Sequence, residues 1–362
     1  MNTLYLSSQN LTHNYRVLRS KMEDKTQFIA VVKANAYGSA LGAFAQHLVH
    51  LGVDALAVAY TEEGTQLRAL GIQIPILVFY PQIHTLSELV SNNLEPCLYN
   101  QTVFLALKNI LLHEGRTDYP VHLKYNTGLN RIGFLPEEAE WVFDQIRNAP
   151  FQIQSVYSHL AASEEKRPST LSDQQIKSFQ KIKSLHLEAI TPQPYFHLLN
   201  SSGVFNYPEY QFDAVRCGIA LHGYANKAEW DCELRPLGVL KSSICQITQV
   251  KKGASVGYDH GWVAPKDTSI ATLPIGHADG IGRHFGPSQA PVYLHGKAVP
   301  IIGNVCMDMV MVDVTGVDCQ LGDEVEIFGT HQNASEFALK ANTISYELLT
   351  QLGPRIVRKW QP

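Results

Sequence analysis

Phe28-Ile29-Ala30-Val31-Val32-Lys33-Ala34-Asn35-Ala36-Tyr37-Gly38 is the stretch from which the chain is best read. A short apolar, β-branched run suits a strand buried on both faces, as in parallel sheets. Comparable runs recur at Asp54–Val58, Pro75–Phe79, Pro96–Leu98, Val121–Tyr125, Ile153–Ser158, Tyr195–Leu198 and Asp213–Arg216. Between them Ala40–His50, Glu62–Leu70, Val103–Leu112, Pro136–Asn148 and Asp173–Leu187 carry apolar residues at helical spacing. Eight strands alternating with helices predict an α/β chain opening with a (β/α)₈ barrel of the TIM type. A doubly wound sheet shares this spacing, because barrel closure leaves no mark on periodicity.

Beyond about residue 225, Gly-containing turns separate Ser243–Val250, Ser269–Leu273, Pro291–Leu294, Val299–Ile302 and Val310–Val314. That texture predicts a mainly β second domain. Two short helices follow, at Ala334–Ala341 and Thr343–Leu352, and Gly353-Pro354 stops the second. The expected division is 1–228 and 229–362, with the first few residues able to pair with the β domain.

The 362 residues are 45% hydrophobic and 17% charged, with a formal net charge of −4 and interspersed signs. Such a chain offers no basic face to nucleic acid and no polybasic or spanning segment to a membrane. Without a charged region and sustained apolar run at its start, a cytoplasmic protein is expected. The cysteines at 97, 217, 232, 245, 306 and 319 form no Cys-x-x-Cys pair. Mostly buried, reduced thiols are expected, and no metal site.

Lys33 closes the first strand, and the C-terminal strand ends of a barrel form its active face. A desolvated lysine there favours the neutral amine that imine chemistry needs. An isolated strand-end lysine more often reaches into water, so its surroundings decide. Val32-Lys33-Ala34-Asn35-Ala36-Tyr37-Gly38 closely resembles the cofactor-lysine motif of the alanine racemases. The resemblance implies pyridoxal 5'-phosphate joined to Lys33, with Tyr37, one helical turn on, bonding its phosphate.

Further motifs follow over nearly the whole chain. His122-Leu123-Lys124-Tyr125-Asn126-Thr127-Gly128-Leu129-Asn130-Arg131-Ile132-Gly133 resembles the segment supplying a carbamylated lysine, here Lys124, and the substrate-binding arginine it orients, here Arg131. Ser158-His159-Leu160-Ala161 resembles the segment that sets a histidine near the cofactor ring. Asn200-Ser201-Ser202-Gly203 and Arg216-Cys217-Gly218-Ile219 follow the last two strands, where barrels often bind phosphate. By resemblance Ser201, Gly218, Ile219 and Tyr346 grip that phosphate. Arg216 faces the pyridine nitrogen, where decarboxylases place an acid. An arginine leaves that nitrogen unprotonated and the cofactor a weaker electron sink. Outside the resemblance, Arg216 reads as a partner for Asp213.

Racemisation needs a second base opposite the lysine. Gly257-Tyr258-Asp259 resembles the family's tyrosine loop, which implies that Tyr258 is that base, donated across a homodimer. Gly303-Asn304-Val305-Cys306-Met307-Asp308 resembles a motif donated in the same way. In it Met307 binds the substrate carboxylate through its N–H, and Cys306 is expected in the core. Glu164, His277, Arg283 and Asp308 are expected at the entrance. Asn126, Leu129, His277, Asn304, Cys217 and His222 depart from the commonest family residues, which bears on alanine strictness.

The resemblance thus implies interconversion of L- and D-alanine by two bases, supplying D-alanine for peptidoglycan. A serine or broad-specificity racemase is the near alternative, although those relatives are typically exported. A fold-related decarboxylase is expected to show His-x-Gly-Ser and an acid in place of Arg216. A non-catalytic pyridoxal-phosphate carrier has no use for an opposed base.

Overall fold

The computed structural model describes residues 2–286 and 290–362. Strand β1 (Thr3–Ser7) precedes eight strands that close into a parallel barrel. These are β2 (Gln27–Val31), β3 (Ala55–Val58), β4 (Ile76–Val78), β5 (Glu95–Leu98), β6 (Tyr119–Lys124), β7 (Phe151–Tyr157), β8 (Tyr195–His197) and β9 (Ala214–Cys217). Pairing of β2 with β9 closes the ring, so the barrel, not the doubly wound sheet, is what the alternation encodes. Asp213, just before β9, ties that strand to both neighbours, β8 and β2. Its carboxylate accepts the Phe196 N–H at 2.8 Å, and its carbonyl accepts the Gln27 N–H at 2.9 Å.

The remaining strands are β10 (Gly238–Ser243), β11 (Gln246–Val250), β12 (Ser255–Val256), β13 (Trp262–Val263), β14 (Thr268–Leu273), β15 (Pro291–Leu294), β16 (Lys297–Ile302), β17 (Val310–Asp313), β18 (Glu324–Phe328) and β19 (Val357–Gln361). Nine strands form one sheet in the order β11-β14-β17-β16-β15-β18-β10-β1-β19, and β12 pairs with β13 as a separate ribbon. The single strand expected over Ser243–Val250 is two. Ile244-Cys245 breaks it, because β10 pairs with β1 and β18 whereas β11 pairs with β14. β1 is formed by the first few residues and pairs with β10 and β19 of the β domain, whereas β18 and β19 escape a sequence reading, and the charges of β19 (Arg358, Lys359) suit an edge strand that mimics a loop.

All six cysteines are free thiols, but the expectation that most are buried fails. Cys97 and Cys217 are buried in the barrel, but Cys232 and Cys245 are exposed and Cys306 and Cys319 are half-buried. The exposed pair sit in connections, at the end of the Ala228–Asp231 helix and between β10 and β11.

The segment after Lys33 also differs from expectation. Ala34, Asn35, Ala36 and Tyr37 all have φ between 51° and 54°, so the turn that carries Tyr37 is left-handed. Each such residue costs about 1–2 kcal/mol relative to the right-handed form, so the turn must be held from outside. The Ala34 N–H donates to Glu63 at 2.5 Å, and Asn35 Oδ1 accepts the Leu41 N–H at 2.9 Å. Gly38 ends the turn at φ 80°, and Arg358 of β19 donates to its carbonyl at 3.0 Å. A Cβ at Gly38 would lie 2.2 Å from the Leu349 carbonyl oxygen. Gly38→Ala is therefore expected to destabilise the protein by about 1–3 kcal/mol or more, seen as a lowered denaturation midpoint. An unchanged midpoint would mean that the turn is not clamped.

Candidate active site

A cavity of about 310 Å³ opens at the C-terminal strand ends of the barrel. Lys33, Tyr37, Lys124, Arg131, His159, Ser201, Arg216, Gly218, Ile219 and Tyr346 all line it. Residues from distant parts of the chain meet there because all but Tyr346, which comes from the Ser345–Thr350 helix of the second domain, follow or end a barrel strand. Four of these residues are cationic types, and no Asp or Glu among the described residues joins them in the lining.

This crowding sets the protonation states. Burial, reinforced by Arg131, holds the Lys33 amine below the usual lysine range, and Glu63 opposes both. Burial pushes Lys124 down to about 7, with Arg216 and Arg131 adding to it. Both lysines are thereby biased toward the nucleophilic amine. His159 is held well below the ordinary imidazole value by burial and then by Arg216, so it is neutral.

Arg216 is 3% exposed. It donates to the carbonyls of Ser158 at 2.7 Å and Leu198 at 3.0 Å, and meets His159 Nδ1 at 3.2 Å and His197 Nδ1 at 2.6 Å. The pairing with Asp213 does not occur, since that carboxylate accepts the Phe196 N–H of β8. Burial lowers Arg216 to about 10, so it remains a cation at neutral pH. Its guanidinium lies 5.1 Å from the centre of the Tyr157 ring.

At the other end of the cavity the groups are polar and close-fitting. Ser201 Oγ accepts the N–H groups of Gly218 at 3.0 Å and Ala220 at 3.3 Å. A Cβ on Gly218 would lie 2.3 Å from the Tyr37 hydroxyl, so glycine is what leaves room for that phenol. Ile219 opens a 3₁₀ turn, where its N–H has no intrahelical acceptor. Asn226 donates to the Tyr346 hydroxyl at 3.2 Å and so aims it.

Tyr258 and Met307 are not among the lining residues; they are 68% and 59% exposed. They lie on neighbouring loops of the β domain. Asn304 donates to the Tyr258 carbonyl at 2.9 Å, and Arg283 lies 3.7 Å from Asp259. The exposed His277 adjoins the same loops: its N–H donates to the Cys306 carbonyl at 3.0 Å, and a Cβ on Gly276 would lie 2.4 Å from the Cys306 and Met307 carbonyl oxygens. Cys306 is half-buried and not in the core, because it sits in this surface loop. Glu164 lies off the lining, accepting from Ser163 at 3.2 Å.

Sequence reading missed Phe79, Tyr80 and Tyr157 in the lining. Their position at the ends of β4 and β7 was the available signal. It also missed Arg355, which grips the buried Asp279 with two bonds of 2.9 and 3.0 Å and Asp308 with one of 2.6 Å. No local motif marks that contact.

Lysines and arginines set at barrel strand ends, with a close-fitting polar pocket at one end of the same cavity, define an enzyme of amine chemistry on an anionic ligand. Residues 6–226 match the model for the alanine racemase N-terminal domain, and residues 238–360 match that for the C-terminal domain. An alanine racemase of Thermodesulfovibrio yellowstonii is 33% identical over 369 residues, covering 98% of this chain and 96% of the relative. The alanine racemase of Bacillus anthracis with bound L-Ala-P superposes with a TM-score of 0.92 at 27% identity, covering 100% of this chain and 95% of that one. That of Bartonella henselae, with covalently bound pyridoxal phosphate, gives 0.89 at 27% identity, covering 99% of each chain. The chain belongs to the alanine racemase family.

Arg355→Ala takes from the buried Asp279 carboxylate its guanidinium partner and leaves it the Gly276 N–H at 2.9 Å. Faster hydrogen exchange over residues 303–309 is expected, with lower thermal stability. Unchanged exchange there would show that Arg355 does not hold the Met307 loop.

Proposed function

We propose that Lys33 and Tyr258 are the two bases of this racemase, acting on opposite faces of alanine. As a member of the family the chain is a pyridoxal-phosphate enzyme that interconverts L- and D-alanine. The observation that carries the residue assignment is the cavity itself, with four cationic residue types and no carboxylate lining it. Such a site suits a phosphate and a substrate carboxylate, and the space that Gly218 leaves at the Tyr37 hydroxyl suits a phosphate grip.

When bound, pyridoxal phosphate supplies the electron sink that makes an amino-acid α-hydrogen removable. Ser201, Tyr37, Tyr346 and the N–H groups near Gly218 and Ile219 hold its phosphate end, and Lys33 joins it covalently. Arg216, a guanidinium that only donates, would offer an N–H to the ring nitrogen and so leave it unprotonated. His159 steadies Arg216 from the other side. Arg131 and the Met307 N–H bind the substrate carboxylate.

The Lys33 amine, neutral once displaced, receives or returns the α-proton at Nζ on one face. Tyr258 of the partner subunit does so at Oη on the other. Its exposure, with that of Met307, supports a homodimer in which each copy completes its neighbour's site. Glu164, His277, Arg283 and Asp308 form the entrance in that assembly. In this reading the domains divide at 228/229, and the gap between the two matched regions, 6–226 and 238–360, supports it. The physiological role is supply of D-alanine for peptidoglycan in the cytoplasm. Among the described residues no helix is long and apolar enough to cross a membrane.

Incubation with L-alanine in deuterated water tests this directly. Loss of optical rotation with α-deuterium incorporation is expected; carbon dioxide release, or no exchange, overturns it. Lys33→Ala removes the absorbance of bound cofactor, whereas Tyr258→Phe keeps it and loses racemisation by about 10²–10⁴-fold. Racemisation at an unchanged rate in Tyr258→Phe would exclude that base.

Lys124 carries a carbamate in this reading, an anion that orients the Arg131 guanidinium. A carbamate forms only from the neutral amine, and a pKa of about 7 makes that form dominant above neutrality. With ¹³C-bicarbonate, a carbamate carbonyl resonance is expected at pH 8 and lost below about pH 6. It should be absent from Lys124→Ala at every pH.

A further inference from the structure

Among the described residues no carboxylate hydrogen-bonds the buried guanidinium of Arg216, yet it is wired to one. Arg216 Nη1 lies 2.6 Å from His197 Nδ1, and His197 Nε2 lies 2.9 Å from Ser155 Oγ. Ser155 Oγ lies 2.7 Å from His122 Nδ1, and His122 Nε2 lies 2.9 Å from Glu95 Oε2. The five residues come one each from the neighbouring strands β9, β8, β7, β6 and β5. His197, Ser155 and His122 are fully buried. Glu95 opens β5 at the opposite, N-terminal end of the barrel, where its side chain is 16% exposed in a shallow pocket with Arg68, Arg116 and Asp118.

The chemistry gives this chain one consistent direction. Arginine only donates, so His197 accepts at Nδ1 and carries its proton at Nε2. That proton goes to Ser155, whose hydroxyl then donates to His122 Nδ1. His122 in turn donates from Nε2 to the Glu95 carboxylate. Every polar atom along the line has a partner, and both ends are charged. Such a sequence of bonds in a low-dielectric interior polarises in one sense and strengthens cooperatively.

We infer that Glu95 is the remote counter-charge and positioning residue of Arg216, acting through His122, Ser155 and His197 from the far end of the barrel. The inference rests on the reading of Arg216 as the ring-nitrogen partner. Glu95 keeps His197 in the tautomer that accepts from Arg216, and so keeps the guanidinium aimed and charged. A merely structural ladder would stabilise the barrel and leave the chemistry at its other end unmoved.

Two readouts test this. The first needs no cofactor: side-chain ¹⁵N spectra of histidine-labelled, cofactor-free protein, with His122 and His197 assigned by substitution. Both rings are expected in the Nε2–H form, unchanged in Glu95→Gln, which keeps an acceptor, and perturbed at both histidines in Glu95→Ala. The second is steady-state racemisation by the loaded protein. Glu95→Ala is expected to lower kcat about tenfold with KM within about twofold, and Glu95→Gln to lie between it and the unaltered enzyme. Loss of cofactor by half-transamination should rise in the same order as Arg216 loosens. The inference is overturned if His197 carries its proton on Nδ1 in the unaltered protein. It is equally overturned if Glu95→Ala binds cofactor and turns over like the unaltered enzyme. Failure of the unaltered protein to racemise alanine would instead sink the functional reading and leave the tautomer result standing.

Discussion

Positive charge gathered in a cavity lined by no acid is the constraint around which the site is organised. Lys33, Lys124, Arg131 and Arg216 converge because three strands, β2, β6 and β9, end at one barrel face, where burial and neighbouring guanidinium groups disfavour the charged lysines. Repulsion of this kind is costly, and protein groups relieve it in different ways. The lysines shed protons readily, which turns a liability into nucleophilic amines. Arg216 cannot do so, and is held instead by two carbonyls and two imidazoles. The remaining charge is what suits the cavity to anionic ligands.

The barrel was legible because burial on both faces writes continuous apolar runs, and the eight runs read from the sequence correspond to β2 through β9 within a few residues. The β domain was legible in kind but not in wiring. Its sheet joins β1 to β10 and β19, partners separated by most of the chain, and periodicity carries no information about pairing at that distance. The edge strand β19 is too polar to announce itself.

The cavity-lining residues named from motifs do gather in one place, since motifs record strand ends and a barrel brings strand ends together. The left-handed turn at 34–37 was not legible, because Ala-Asn-Ala-Tyr has no glycine to signal it. Nor was the reach of Arg355 to Asp279 and Asp308, or the line from Arg216 to Glu95. Those contacts depend on side chains that meet only after folding, and no local spacing encodes them.

The carbonyl of Gly38 takes its hydrogen bond from Arg358, and its Cα faces the Leu349 carbonyl, so the last turns of the chain clamp the segment that begins at Lys33. Barrel and β domain are therefore not interchangeable modules. A chimera joining this barrel to a foreign second domain would retain its strands and its lysine, but would lose the brace that fixes the direction in which the lysine points. The covalent order of the chain, with its end folded back on its first active residue, ties assembly of the whole protein to competence of the site.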